Sequence, residues 1–207
     1  MKATNLPLTA ITIFSLSFIS FSEGLAQNAT DNTFEPPCLK EPITDFDFWV
    51  GDWVAFDYDT GIVQGIDRIE KINNGCAVFQ NWTQLTDRYR ANGSPFRYAG
   101  ISLSSVLPSG KWQQVWVGNY GGTAVLTGGL DEEGTMVITT AEAQAQNGAT
   151  FKRSWYWDPQ DDGTLHSWGE VFIKNKDGTW SEPTIPWNLR YVPRADAPNL
   201  STTPKEE

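Results

Sequence analysis

The stretch Lys111-Trp-Gln-Gln-Val-Trp-Val-Gly-Asn-Tyr-Gly-Gly122 carries the fold in miniature. Successive side chains of an extended strand point to opposite faces, so Trp112, Gln114 and Trp116 share one face and Gln113, Val115 and Val117 the other. The run then stops at a Gly-Gly turn signal. The same period of two recurs in Gln80/Trp82/Gln84, in Arg153/Trp155/Trp157 and in His166/Trp168/Glu170. Between such runs lie short turn signals: Asp59-Thr-Gly61, Asn73-Asn-Gly75, Asn92-Gly93, Pro108-Ser-Gly110, Gly128-Gly129, Asn147-Gly148, Asp162-Gly163 and Asp177-Gly178. Strands at 8–12-residue spacing between glycine turns mark an all-β sandwich or barrel. No 3.6-residue period survives these turns, and the helix-prone Thr140–Gln146 segment is short. The pattern predicts one all-β domain over residues 38–193, a single antiparallel up-and-down β-barrel of about ten strands.

The chain of 207 residues has room for one such domain with short extensions. Its 25 acidic against 15 basic side chains give a net charge of -10. That balance excludes nucleic acid as a partner, because phosphates call for a basic surface. Lys2, the apolar Leu6–Phe21 run and the small residues Gly24 and Ala26 form the pattern of a secretory signal peptide cleaved after Ala26. Residues 1–26 are therefore expected to be removed. Residues 27–37 read as a flexible leader and 194–207 as a disordered tail. The expected product is secreted or periplasmic, with no membrane attachment once the signal is cleaved. The only two cysteines, Cys38 and Cys76, fit one disulfide in an exported protein. It would close a loop worth roughly 3–4 kcal/mol in chain entropy.

The segment Asp45-Phe-Asp-Phe-Trp-Val-Gly-Asp-Trp53 resembles the opening F-D-F-W-x-G-x-W of the DUF1579-type family of uncharacterised lipocalin-like exported bacterial proteins. Gly75-Cys-Ala77 with Asn81-Trp82, Gly100-Ile-Ser102, Lys111-Trp-Gln-Gln-Val-Trp116 and Asp177-Gly-Thr-Trp180 resemble later parts of the family's pattern, in order. Gln80 stands where the family often has Glu, and His166-Ser167 where Arg-Gln is usual. The resemblance implies a lipocalin-like, calycin-like barrel and no particular activity. Gly51-Asp52-Trp53 is also similar to the G-x-W of true lipocalins. By that resemblance Gly51 and Trp53 are structural, with Arg190 or Arg194 stacked on the indole.

Each tryptophan-bearing face also carries an amide or a charge. A dry core disfavours that mixture, because an unpaired buried polar group costs several kcal/mol. A wet cavity accepts it. The expected ligand-binding set is therefore Gln80, Trp82, Trp112, Gln114, Trp116, Arg153, Trp155, Trp157, His166 and Trp168. Rings would supply flat contact, and Arg153 would neutralise an acidic group on the small molecule. Three further readings stay open. Glu170, with His166 nearby, is a candidate for proton transfer in an isomerase- or lyase-like barrel, and Glu70 is a second carboxylate. His166, the single histidine, could ligate haem as in nitrobindin-type barrels, though no cofactor is expected otherwise. A filled barrel would instead be an envelope interaction module. No metal site is expected, since the cysteines are committed to a disulfide and no histidine cluster exists. The oligomeric state is left open.

Overall fold

Eleven strand segments alternate with tight turns: β1 (Gly51–Asp57), β2 (Val63–Ile72), β3 (Ala77–Gln84), β4 (Ala99–Val106), β5 (Trp112–Gly118), β6 (Thr123–Leu130), β7 (Met136–Thr140), β8 (Ala143–Gln144), β9 (Thr150–Pro159), β10 (Leu165–Ile173) and β11 (Thr184–Pro193). This computed structural model describes Cys38 and residues 40–198. The expected signal peptide, the leader 27–37 and residues 199–207 lie outside the described residues. Every pairing is antiparallel, consecutive strands join from β1 to β7 and from β9 to β11, β7 joins β9, and β11 returns to β1. β7 and β8 both pair with β9 and act as one interrupted strand. The result is a closed ten-strand barrel, as the alternation predicts. Closure leaves no long free edge for another chain to extend.

Two local expectations change. Gly128-Gly129 lies within β6 and is not a turn. A Cβ on Gly128 would collide with the Val137 carbonyl, so this glycine allows close approach of two strands. Thr140–Gln146, expected to be too short for a helix, forms none and contributes strand residues that pair with β6 and β9. The start of the expected tail also continues the fold. Arg194 N–H donates to Asp52 O at 2.8 Å, and Ala197 N–H closes a turn onto Pro193 O at 3.0 Å.

One end of the barrel is closed by the segment before β1. A 3₁₀ turn at Asp47–Trp49 places Trp49 wholly out of solvent. Phe46 stacks on Trp49 at 4.6 Å between ring centroids and meets Trp112 and Trp157 edge-on. Leu126, Met136, Ile138 and Leu165 complete this dry end. The Trp53 Nε1–H donates to Trp49 O at 2.9 Å, tying β1 to the plug, and the Trp112 indole donates to Pro42 O at 3.0 Å. Cys38 and Cys76 form the expected disulfide, which joins the plug segment to the β2–β3 turn. Among the described residues, no helix is long and apolar enough to cross a membrane.

Trp53 is buried and bonded to the plug, and neither arginine expected to stack on it does so. Arg190 lies on the outer face of β11, exposed, and pairs with Asp162 at 2.9 Å. Arg194 engages β1 through its backbone. The ring partner of Trp53 is Tyr191, edge-on at 6.3 Å. The strand parity that points Tyr191 inward necessarily points Arg190 outward.

Candidate functional site

Register decides which residues face inward. Trp53, Asp67, Trp82 and Gly100 lie side by side across β1–β4, and Gln80, Ser102, Trp116 and Ala124 form a parallel row across β3–β6. Above the dry end these rows surround a cavity of about 360 Å³, within the range of small-molecule sites. Its walls are Trp82, Trp116, Trp155, Trp157, Trp187 and Leu189. Gln80, Ser167 and Tyr191 lie toward the plug, and Tyr89, Tyr98, Tyr120 and Pro186 toward the loops at the opposite end. Gln84 is the remaining lining residue. None of these side chains is charged.

Several tryptophans find room because the inward position beside them is small. A Cβ on Gly65 would sit 2.6 Å from the Trp82 ring, and Gly100 and Gly169 are similarly overlaid by Trp116 and Trp187. The alternation of large and small inward residues is how a tapering barrel accommodates bulky rings.

The polar groups are oriented by hydrogen bonds. Trp116 Nε1–H donates to the Tyr98 hydroxyl at 2.9 Å. The Gln80 amide donates to Asp67 Oδ2 at 2.7 Å and accepts from Ser102 Oγ at 2.8 Å; Tyr191 donates to the same carboxyl oxygen at 3.2 Å. Asp67 lies behind the cavity surface and is buried, with Oδ1 unpartnered. Burial pushes its pKa up to about 7, against the lowering effect of the Gln80 and Tyr191 bonds. Burial also raises the phenol pKa of Tyr89, Tyr98 and Tyr191 above its ordinary value. These phenols are therefore neutral at physiological pH. Nearer the rim, the Gln84 amide donates to Gln64 Oε1 at 3.2 Å and to Thr86 Oγ1 at 2.8 Å. Asp57 beside this cluster is held at a pKa of about 2 by hydrogen bonds from Thr60 and then Arg88.

Of the ten residues expected to bind ligand, Gln80, Trp82, Trp116, Trp155 and Trp157 line the cavity. Trp112 and Gln114 face inward but are consumed by the closed end, Trp112 against the plug and Gln114 in a 3.1 Å hydrogen bond to Ser104. Arg153 is one inward step above Trp155, toward the loops. Its guanidinium lies 4.7 Å over the Phe151 ring and lowers the neighbouring Tyr98 pKa in part. His166 and Trp168 do not reach the cavity. They lie on the outer face of β10 because Leu165, Ser167 and Gly169 take its inward positions, where small Ser167 and Gly169 make room for Trp157 and Trp187.

That placement also overturns proton transfer by Glu170 and His166 inside the barrel. Glu170 accepts from the Tyr156 hydroxyl at 2.7 Å on the outer wall. His166 is packed between Tyr58 and Trp168, at 4.2 and 4.5 Å, with Nε2 against Asn188 Oδ1 at 2.7 Å. A haem held within the barrel through His166 does not fit this arrangement. Glu70 is likewise outward, paired with Arg68 at 2.5 Å. Among the described residues, no group of three His, Cys, Asp or Glu side chains gathers to hold a metal.

Sequence reasoning missed Trp187, Leu189 and Tyr191, although they obey the same period-two rule in β11. It also missed Tyr89, Tyr98 and Tyr120, which lie in or beside loops where no periodicity operates. No family model matches the sequence, and no curated protein matches it.

Proposed function

We propose that the chain is an exported barrel that binds a small, flat, largely aromatic molecule bearing one anionic group. The ring system occupies the cavity and the anion sits at the loop end beside Arg153. One observation carries this reading: an aromatic-walled cavity without a charged lining residue, with Arg153 two residues from the lining Trp155 on the same strand and close enough to the lining Tyr98 to lower its pKa in part. No carboxylate among the described residues pairs with Arg153. Indole and phenol rings give large contact area at low entropic cost. An arginine in partly dehydrated surroundings offers a forked donor suited to a carboxylate or sulfonate. The disulfide supports export into an oxidising compartment. The F-D-F-W-V-G-D-W opening supports a place beside the DUF1579-type barrels, its Phe46, Trp49 and Trp53 being plug and floor residues.

Two dyes with one ring skeleton test the reading. N-phenyl-1-naphthylamine is neutral, and 1-anilinonaphthalene-8-sulfonate adds a sulfonate. Both should bind with quenching of tryptophan fluorescence, the sulfonate about tenfold more tightly, equivalent to about 1.4 kcal/mol. In Arg153→Ala the two affinities should converge, with the neutral dye unchanged. Trp155→Ala should weaken both. Binding of neither dye would reject the cavity. Equal binding in the wild type would reject the anion site alone.

A further inference from the structure

The strands β3 to β7 contain no Asp, Glu, Lys, Arg or His on either face, in a chain of which 19% is charged. All charges of this half of the barrel are in its turns. Their inward positions include much of the cavity wall. Their outward positions form a continuous neutral wall, bordered by Arg68 and Glu70 on β2 and by Lys152 and Asp158 on β9. At its centre Phe79, Leu103, Val115 and Val125 stand in one cross-strand row, with Ile101 and Val117 in the next. Leu103 and Val125 are each 47% exposed, Ile101 45% and Val117 44%. Scattered apolar residues on a surface require no explanation, but a contiguous apolar patch without charges does.

We propose that this wall is a self-association surface, through which two copies of the chain pack sheet against sheet as a two-fold dimer. Charge selects the occupant. Each copy carries -10, so two copies repel on approach through most of their surface, and the neutral wall is where local repulsion is least. A basic partner would be drawn to the acidic turns instead. The patch is also self-complementary in kind, apolar at the centre with an uncharged Ser105, Gln113, Thr127 and Thr139 row beside it, as a two-fold contact requires. Five strands about 4.8 Å apart and about seven residues tall span roughly 550 Å² per copy. Curvature withholds part of that area from contact. The pair therefore falls at the weak, reversible end of specific interfaces.

Sedimentation velocity of the purified protein from about 1 μM to about 1 mM would detect such a pair. The dimer fraction should rise with concentration. It should also rise between about 50 and 500 mM NaCl, because salt screens the repulsion and the contact itself contains no ion pair. Leu103→Lys and Val125→Lys should be monomeric throughout, with native near-ultraviolet circular dichroism from the tryptophans. Ile62→Lys, exposed on the β1–β2 turn away from the wall, should dimerise as the wild type does. A wild type that stays monomeric at both salts would overturn the proposal, as would a dimer that survives both wall substitutions. Flotation of a monomer with neutral phosphatidylcholine vesicles would assign the wall to lipid and overturn it equally.

Discussion

Asp67 occupies a costly position, buried with one carboxyl oxygen unpartnered. It faces inward on β2 between Trp53 and Trp82, its cross-strand neighbours on either side. With a native pKa near 7 against an ordinary 3.8, the folded chain retains a proton there that the unfolded chain releases. Stability from this group is therefore greatest below pH 4. It falls as pH rises from about 4 to 7, and above 7 the full cost of a buried carboxylate remains. Three pH units correspond to about 4 kcal/mol. Asp67→Asn keeps an acceptor for Gln80 and Tyr191 but leaves an amide N–H₂ to satisfy, which recovers only part of that cost. The variant should be about 1–3 kcal/mol more stable than wild type at pH 8 and no more stable at pH 4. Urea unfolding of both proteins at the two pH values measures this. A wild-type stability that is flat from pH 4 to 7 would mean that Asp67 is ionised and stabilised in the native barrel.

At the scale of strands, the barrel is built by seating large rings over glycine. Gly65→Ala would bring a Cβ to 2.6 Å from the Trp82 ring and 2.8 Å from the Thr83 carbonyl oxygen. A side chain can turn away, but the ladder of β2 on β3 cannot, so the change should destabilise by about 1–3 kcal/mol. Displacing Trp82 should also weaken neutral-dye binding; unaltered stability and binding would show that the wall yields. This seating explains what could be read beforehand. Strands whose tryptophans face inward, β3, β5 and β9, yielded cavity residues from alternation alone. The same alternation misread β10, because parity gives two faces without naming the inner one. The glycines of β4 and β10 held the missing information, since an inward glycine beside tryptophan-bearing strands marks the face the ring needs. The pattern in β11 is as regular as that in β5, but its Trp187, Leu189 and Tyr191 face carries no amide or charge and so reads as dry core, whereas the tyrosines near the loops have no periodicity to betray them.

Across the whole molecule the two ends of the barrel divide the work. The closed end holds the densest packing, with Phe46, Trp49, Trp112, Leu126, Met136 and Ile138 all at most 1% exposed, and the Cys38–Cys76 bridge clamps its plug. The loop end holds the cavity and leaves Tyr89, Tyr98 and Tyr120 half-buried. Stability and binding should therefore separate. The bridge spans a sequence separation of 38, so Cys38→Ser/Cys76→Ser should lose about 3–4 kcal/mol, since the unfolded chain is no longer constrained. For a chain of this size that lowers Tm by about 6–16 °C. At 20 °C, below the lowered transition, the reduced barrel should still bind the neutral dye with nearly wild-type affinity. Thermal scans followed by dye titration of the same variant read both quantities. An unchanged Tm would show that the packed plug already holds without its clamp. Lost dye binding in a folded variant would show that the plug reaches through the floor at Trp157 to shape the cavity, making the two ends one unit.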